Sequence, residues 1–259
     1  MEAATEGMRG FHGRMAAMHR QVEQQHRTAA RIHSVHADRL RRWHEGSVDP
    51  QVQPRFMAAV AETLGAAGAA LTLFGPDEAE TLAAASDPAS RTAQGLEFTL
   101  GEGPARETVR LCRPIIAAGM QMEQIWPIYG PAVEQLGIRA VAAVPVAAAG
   151  ARLGALTIFD PPRDHGPDLE TFQAAALTLA VSLLPSWSAP DADQPVGRPP
   201  FLEQGDPCAV VNQAAGMVSV QCRCSTADAL ALIRAHAFAE NRPVDDVAAA
   251  IIDRTLRLN

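Results

Sequence analysis

A chain of 259 residues with 47% hydrophobic content is long enough for one or two domains with cores of their own. Its net charge is −7, its basic residues are 22 arginines without a lysine, and no apolar run approaches the roughly 18 residues of a membrane span. The His-rich, charged N-terminus has no apolar secretory core, and four cysteines fall short of a disulfide framework, so a cytoplasmic protein with no membrane partner is expected.

The charge is unevenly placed. Residues 1–45 carry +3, residues 46–190 carry −7, residues 191–206 carry −3, and residues 207–259 are neutral. The acidic middle argues against nucleic-acid binding there.

Residues 8–43 read as one helix. Met8, Phe11, Met15, Met18, Val22, Gln25, Ala29, Ile32, His36, Arg39 and Trp43 follow 3–4 spacing, the pattern of a left-handed coiled coil. The helix is expected to dimerise or to pack on the next domain. His12, His19, His26 and His33 recur every seven residues beside that seam. Such a ladder could titrate near neutral pH or bind metal, or it could be the solvated flank of a polar helix. No metal ligand set is assigned.

After a turn-rich break at Gly46–Pro54, a helix is expected over Pro54–Leu64. Strands follow at Ala69–Phe74, Thr81–Ser86 and Leu96–Leu100. Gly101-Glu102-Gly103-Pro104 marks a sharp turn into a helix over Pro104–Leu111, and Arg113–Ile116 reads as a strand. Gln121–Gln135 is irregular or helical around Trp126-Pro127. Ile138–Val146 and Leu153–Phe159 form a hairpin, and Asp168–Leu184 is a closing helix that Pro185 stops. Short strands with hairpins and no βαβ alternation imply an α+β domain.

The residues Gly101-Glu102-Gly103-Pro104-Ala105, Arg113-Pro114-Ile115, Gly137 through Val141, Pro145-Val146 and Leu153-Gly154-Ala155-Leu156 resemble a GAF sensor domain over about residues 52–184. GAF domains bind diverse small molecules or serve only as dimerisation platforms, so the resemblance names no ligand or cofactor. It implies a pocket between the sheet and the loops around Glu102 and Trp126, which Cys112 could line. The preferred reading of Cys112 is a small buried hydrophobe. Asp160, Asp164, His165, Asp168 and Glu170 cluster in one Pro- and Gly-rich loop, the pattern of a solvated turn. With no nucleophile elbow, phosphate loop or HExxH, no catalytic residue is assigned and no enzyme is expected.

Residues 185–206 hold five prolines and read as a semi-rigid spacer. Three helices follow. Asp206 is placed to cap the first, with Pro207 at its first position and a stripe of Val210, Val211, Ala214, Met217 and Val218. Ser225 and Asp228 form a capping box for the second, whose inner face is Ala229, Leu232, Ile233, His236 and Ala237. Asn241 and Pro243 separate the third, whose stripe is Val244, Val247, Ala248, Ile251 and Ile252. Cys222-x-Cys224 with Cys208 supplies fewer than the four ligands of a structural zinc, so free thiols or a redox sensor are the readings.

Gln213-Ala214-Ala215-Gly216-Met217-Val218, Ser225 through Ala237, and Asn241-Arg242-Pro243 with Asp246-Val247-Ala248 resemble the ANTAR domain, over about a fifth of the chain. The resemblance implies a transcription antiterminator acting as a homodimer on paired hairpins in nascent RNA. Its RNA contacts would be Arg234, Asn241, Arg242, Arg254 and Arg257. Ala215 stands where the family often has Lys. Five arginines and five acids make the bundle neutral, a small electrostatic footprint for a nucleic-acid binder, and the arginines could instead solvate an outer face. A second reading is therefore a small-molecule sensor whose bundle serves dimerisation or docking. A DNA-binding helix-turn-helix would need a basic recognition helix, which is not visible.

The expected architecture is α+β overall. It comprises a coiled-coil-like helix (1–45), an α+β sensor (52–184), a linker (185–206) and an all-α three-helix bundle (207–259).

Overall fold

The computed structural model describes residues 2–46, 54–75, 80–148, 150–162, 168–187, 207–240 and 242–258. The side chains of Met8, Phe11 and Cys208, and the residues Asp164, His165, Phe201, Leu202, Asp206 and Asn241, lie outside the described set.

Helix α1 (Glu2–His44) is followed by α2 (Phe56–Leu64), β1 (Gly68–Phe74) and β2 (Glu80–Ala85). Helices α3 (Pro88–Leu100) and α4 (Pro104–Leu111) lead to β3 (Ile115–Ala118). Then come α5 (Met120–Ile125), α6 (Tyr129–Glu134), β4 (Ala140–Ala148), β5 (Ala151–Phe159) and α7 (Leu169–Trp187). The bundle is α8 (Pro207–Cys222), α9 (Thr226–Ala239) and α10 (Val244–Ile252).

The strands form one antiparallel sheet in the order β2-β1-β5-β4-β3, with both faces covered. Side-chain alternation divides the core. Leu71, Val144, Leu156 and Ile158 join Val60, Phe172 and Leu179 beneath α2 and α7. Ala70, Val141 and Phe159 face Trp126, Tyr129 and Val133 on the side of α3, α5 and α6. Burial on both faces explains why the strands read as near-continuous apolar runs. Gly154 permits the tight pairing of β5 with β1: a Cβ there would lie 2.0 Å from the Thr72 carbonyl oxygen.

Two expected elements differ. Leu96–Leu100 is not a strand but the last turn of α3. Asp87 caps that helix by accepting the Ser90 N–H at 2.9 Å, Pro88 occupies its first turn, and Ala93, Gln94, Glu97 and Phe98 face inward. Helix α7 continues two residues past Pro185, to Trp187, so the missing N–H falls at the end of the helix and not in its interior.

The second half of α1 lies along α2 and α7. Thr28 and Ile32 are buried, His33 and His36 meet the Phe56 ring edge-on, and Arg39 pairs with Glu62 at 2.8 Å. Met18 and Val22, in the first half of the seam, stay exposed, as do His12, His19, His26 and His33. Burial and the neighbouring His33 hold the His36 imidazole below its ordinary pKa.

Candidate nucleic-acid interface and sensor cleft

In the bundle, the buried stripe of α8 is Val211, Ala214, Ala215 and Val218, rotated from the expected one: Val210 faces outward and Met217 is half-buried. Ala229, Ile233 and Ala237 of α9 and Val244, Val247, Ala248 and Ile251 of α10 complete the core, while Leu232 is exposed. Ser225 closes its cap as expected, accepting the Asp228 N–H at 3.1 Å.

This core is not confined to the bundle. Phe98 of α3 belongs to the same buried cluster, α8 lies against β2, and α9 against α3. The docking covers an edge strand that would otherwise present unpaired backbone groups. At its centre is Glu80 of β2, 1% exposed, whose Oε2 accepts from Arg106 Nη2 at 2.6 Å and from Arg234 Nη2 at 3.1 Å. The guanidinium of Arg234 also stacks over the Phe98 ring, 4.5 Å from its centroid. Arg234 is thereby left 16% exposed. Burial pushes the Glu80 carboxyl up, and Arg106 and Arg234 pull it back down.

Among the described residues, the four arginines expected to contact RNA are not together. Arg254 and Arg257, both exposed, share a groove of about 460 Å³ with Gln213, Met217, Val220 and Gln221. Arg242 is exposed beside Glu240, at 3.2 Å. Arg234 faces the sensor. Ala215 is buried in the cluster that joins the bundle to Phe98, so a lysine there could not keep its ammonium in water while the domains are docked.

On the sensor, a cleft of about 720 Å³ opens between the end of β1, the Gly101–Gly103 turn, α4, α5 and the start of β5. Glu102 and Trp126 both line it. Glu102 is turned to a structural task, accepting the N–H groups of Ile128 at 2.6 Å and Tyr129 at 2.8 Å at the start of α6. Cys112 is not part of the lining. It is neither buried nor a core hydrophobe but exposed, in the left-handed conformation (φ 52°) after α4, with Arg152 Nη1 3.6 Å from its Sγ. Beneath the turn is buried Glu97, whose Oε1 accepts the Arg106 N–H at 2.8 Å. Trp126 Nε1 and the Tyr129 hydroxyl are buried without hydrogen-bond partners among the described residues.

The acidic loop is structural where it is described. Asp160 accepts the N–H groups of Arg139 and Ala140, and Asp168 caps α7 through Thr171. Cys222 donates to the Leu258 carbonyl. No group of three metal-binding side chains occurs among the described residues.

The GAF domain family matches residues 50–184, more than half of the chain. The chain belongs to the GAF domain family. The ANTAR domain matches residues 206–252, so the helices docked on the GAF sheet are an ANTAR domain. Both are sensor and regulatory domains, which places the chain among regulators of the antitermination type. A domain of a protein described as a two-component sensor histidine kinase from Sinorhizobium meliloti 1021 is similar at 18% identity and TM-score 0.39, over 49% of this chain and 85% of that one. The GAF domain of an Acinetobacter phosphoenolpyruvate-protein phosphotransferase is similar at 14% identity and TM-score 0.42, over 67% and 98%. No curated protein matches the chain. No helix among the described residues is long and apolar enough to cross a membrane.

The contacts between the domains and beneath the turn that sequence reasoning missed are those of Glu80, Glu97, Phe98 and Arg106. Gly103 was the one available signal for Glu97: a Cβ at 103 would lie 2.6 Å from Glu97 Cδ.

Proposed function

We propose that the chain is an RNA-binding transcription antiterminator in which the GAF sensor (52–184), joined by the linker (185–206), controls when the ANTAR bundle (207–259) engages paired hairpins in nascent RNA. The observation that carries this reading is the position of Arg234. It belongs to the ANTAR resemblance, yet it is gripped by Glu80 and Phe98 of the sensor. The docked arrangement is then the withheld state, in which Arg254, Arg257 and Arg242 remain outside and Arg234 does not. Asn241 completes the proposed contacts. The protein acts in the cytoplasm as a homodimer, paired through α1 around the exposed Met18 and Val22.

Gel-shift titration against tandem-hairpin RNA over a salt series tests this. Four arginine–phosphate contacts give a slope of log K on log salt of about −3. Replacing Arg254 and Arg257 together by Ala should lower affinity and flatten that slope by one to two units. A salt-independent affinity, or one that ignores both substitutions, removes RNA binding from the reading. The second reading, a bundle used only for docking, is favoured by its neutral charge and by the docking itself. It predicts no RNA retention even at low salt.

A further inference from the structure

The bundle is neutral as a whole, but its charges are sorted along it. Asp245 and Asp246 sit in the first turn of α10, Glu240 is paired with Arg242, and Asp228 is taken up in the Ser225 cap. At the other end of α10 is the groove of about 460 Å³ that holds Arg254 and Arg257. No acid lines it; Asp253, exposed and next to Arg254 in the chain, is not part of the lining. Its apolar surface comes from Met217, Val220 and Leu256, and its remaining polar groups are the amides of Gln213 and Gln221. Val220 is left 80% exposed there with the bundle docked on the sensor, and both glutamines are exposed as well.

Two helix ends meet beside this groove, since Cys222 at the end of α8 donates to the Leu258 carbonyl. Both helices close in the same way. The Cys224 N–H reaches back to the Ser219 carbonyl at 3.1 Å, and the Thr255 N–H to the Ala250 carbonyl at 2.9 Å. Each closure of this kind needs one left-handed residue, a place that favours glycine. Here the two residues are Arg223 (φ 53°) and Arg254 (φ 60°), both exposed. Arg254 therefore keeps its guanidinium in the groove at a conformational cost, which marks the groove as a place where that group has a task.

The chemistry fits one nucleotide unit. Apolar side chains and guanidinium planes give a base surfaces to lie against, and guanidinium pairs with phosphate. A glutamine amide offers both a donor and an acceptor to the base edge. The volume falls within the range of small-molecule sites. A base paired in a stem hides its edge and its faces, so only an unpaired one can enter. We propose that the groove receives one unpaired nucleobase of the RNA, with Gln213 and Gln221 reading its edge and Arg254 and Arg257 holding its phosphate. The groove is open while the bundle is docked, so the base enters before the domains part. This inference rests on the RNA-binding reading and adds which part of the RNA is read, and by which residues.

The test uses the full chain at low salt, in gel shift against two tandem-hairpin RNAs of equal length and charge. One carries randomised loops; the other has abasic sugars in the loops of the same stems. The first should bind about tenfold more tightly or better. Sequencing of its bound fraction should show one enriched loop base. Replacing Gln213 and Gln221 together by Ala should erase that enrichment and leave the salt slope unchanged. Arg254→Gly should keep or raise the melting temperature, because glycine adopts the turn freely, and should lower affinity for the looped RNA about tenfold. An Arg254 that only caps α10 predicts no such loss. Equal binding of looped and abasic RNA overturns the inference and leaves RNA binding through the arginines standing. It is overturned as well by an enrichment that survives the double glutamine substitution, or by an affinity that Arg254→Gly does not move. Binding of neither RNA removes the RNA-binding reading itself, and this inference with it.

Discussion

Glu97 reaches beneath the Gly101–Gly103 turn, and its surroundings make it a proton store. Gly103, at φ 155°, leaves the space that the Glu97 carboxyl fills. Burial pushes that carboxyl up to about 8, with nearby Glu80 adding to the shift and the N–H groups of Arg106 and Ala105 opposing it. In the unfolded chain it titrates near its ordinary value of 4.5. Between those two values the folded chain keeps a proton that the unfolded chain has released. Stability therefore falls as pH rises from about 4.5 to about 8. Glu97→Gln keeps an acceptor for the Arg106 N–H and abolishes that dependence. Denaturant titrations should find the variant more stable than the parent near pH 8, by on the order of a few kcal/mol, and the two similar near pH 4. A parallel pH profile for both proteins would show that the carboxyl is ionised when folded.

Among the elements, α1 is buried along only part of its seam. From Thr28 onward it is a helix of the sensor, and before that Met18 and Val22 face outward at heptad positions. Replacing both by Asp should dissociate a dimer built on the first half of α1, seen as a halved mass by sedimentation, without changing the thermal unfolding of the sensor. A dimer that survives the change would place the interface elsewhere. The elements that were legible in the sequence are those specified locally. Ser225 and Asp228 announce the start of α9, and Gly101 to Pro104 announce the turn before α4, because capping and turn chemistry act within a few residues. The last turn of α3 was misread for a physical reason. Leu96, Phe98 and Leu100 alternate with polar residues as a strand would, whereas the start signal that makes them helical is Asp87-Pro88, a full helix length upstream.

At the scale of the molecule, one buried carboxylate ties two domains together. Breaking a buried ion pair by removing one partner costs about 3–5 kcal/mol, which is enough to shift a docking equilibrium by orders of magnitude. Glu80→Gln should therefore loosen the bundle, and if Arg234 contacts RNA the full chain should bind tandem hairpins about tenfold more tightly. Arg234→Ala should undock the bundle as well but lower RNA affinity. Equal affinities for the parent and both variants, measured by gel shift, would separate the clasp from RNA control. Charge reversal at Arg234 is a poorer probe, since it would set a second carboxylate beside Glu80.

The sequence by itself determined the domain types, most element positions and the α+β class, because caps, turns and hydrophobic periods are local. It could not determine which face of α8 is buried or where Arg234 points. Those depend on Glu80 and Phe98, which lie more than a hundred residues away in the chain and act only once the sheet and α3 are assembled. Charge pairing and apolar burial between domains are set by proximity in space, and only the tertiary structure brings these groups together.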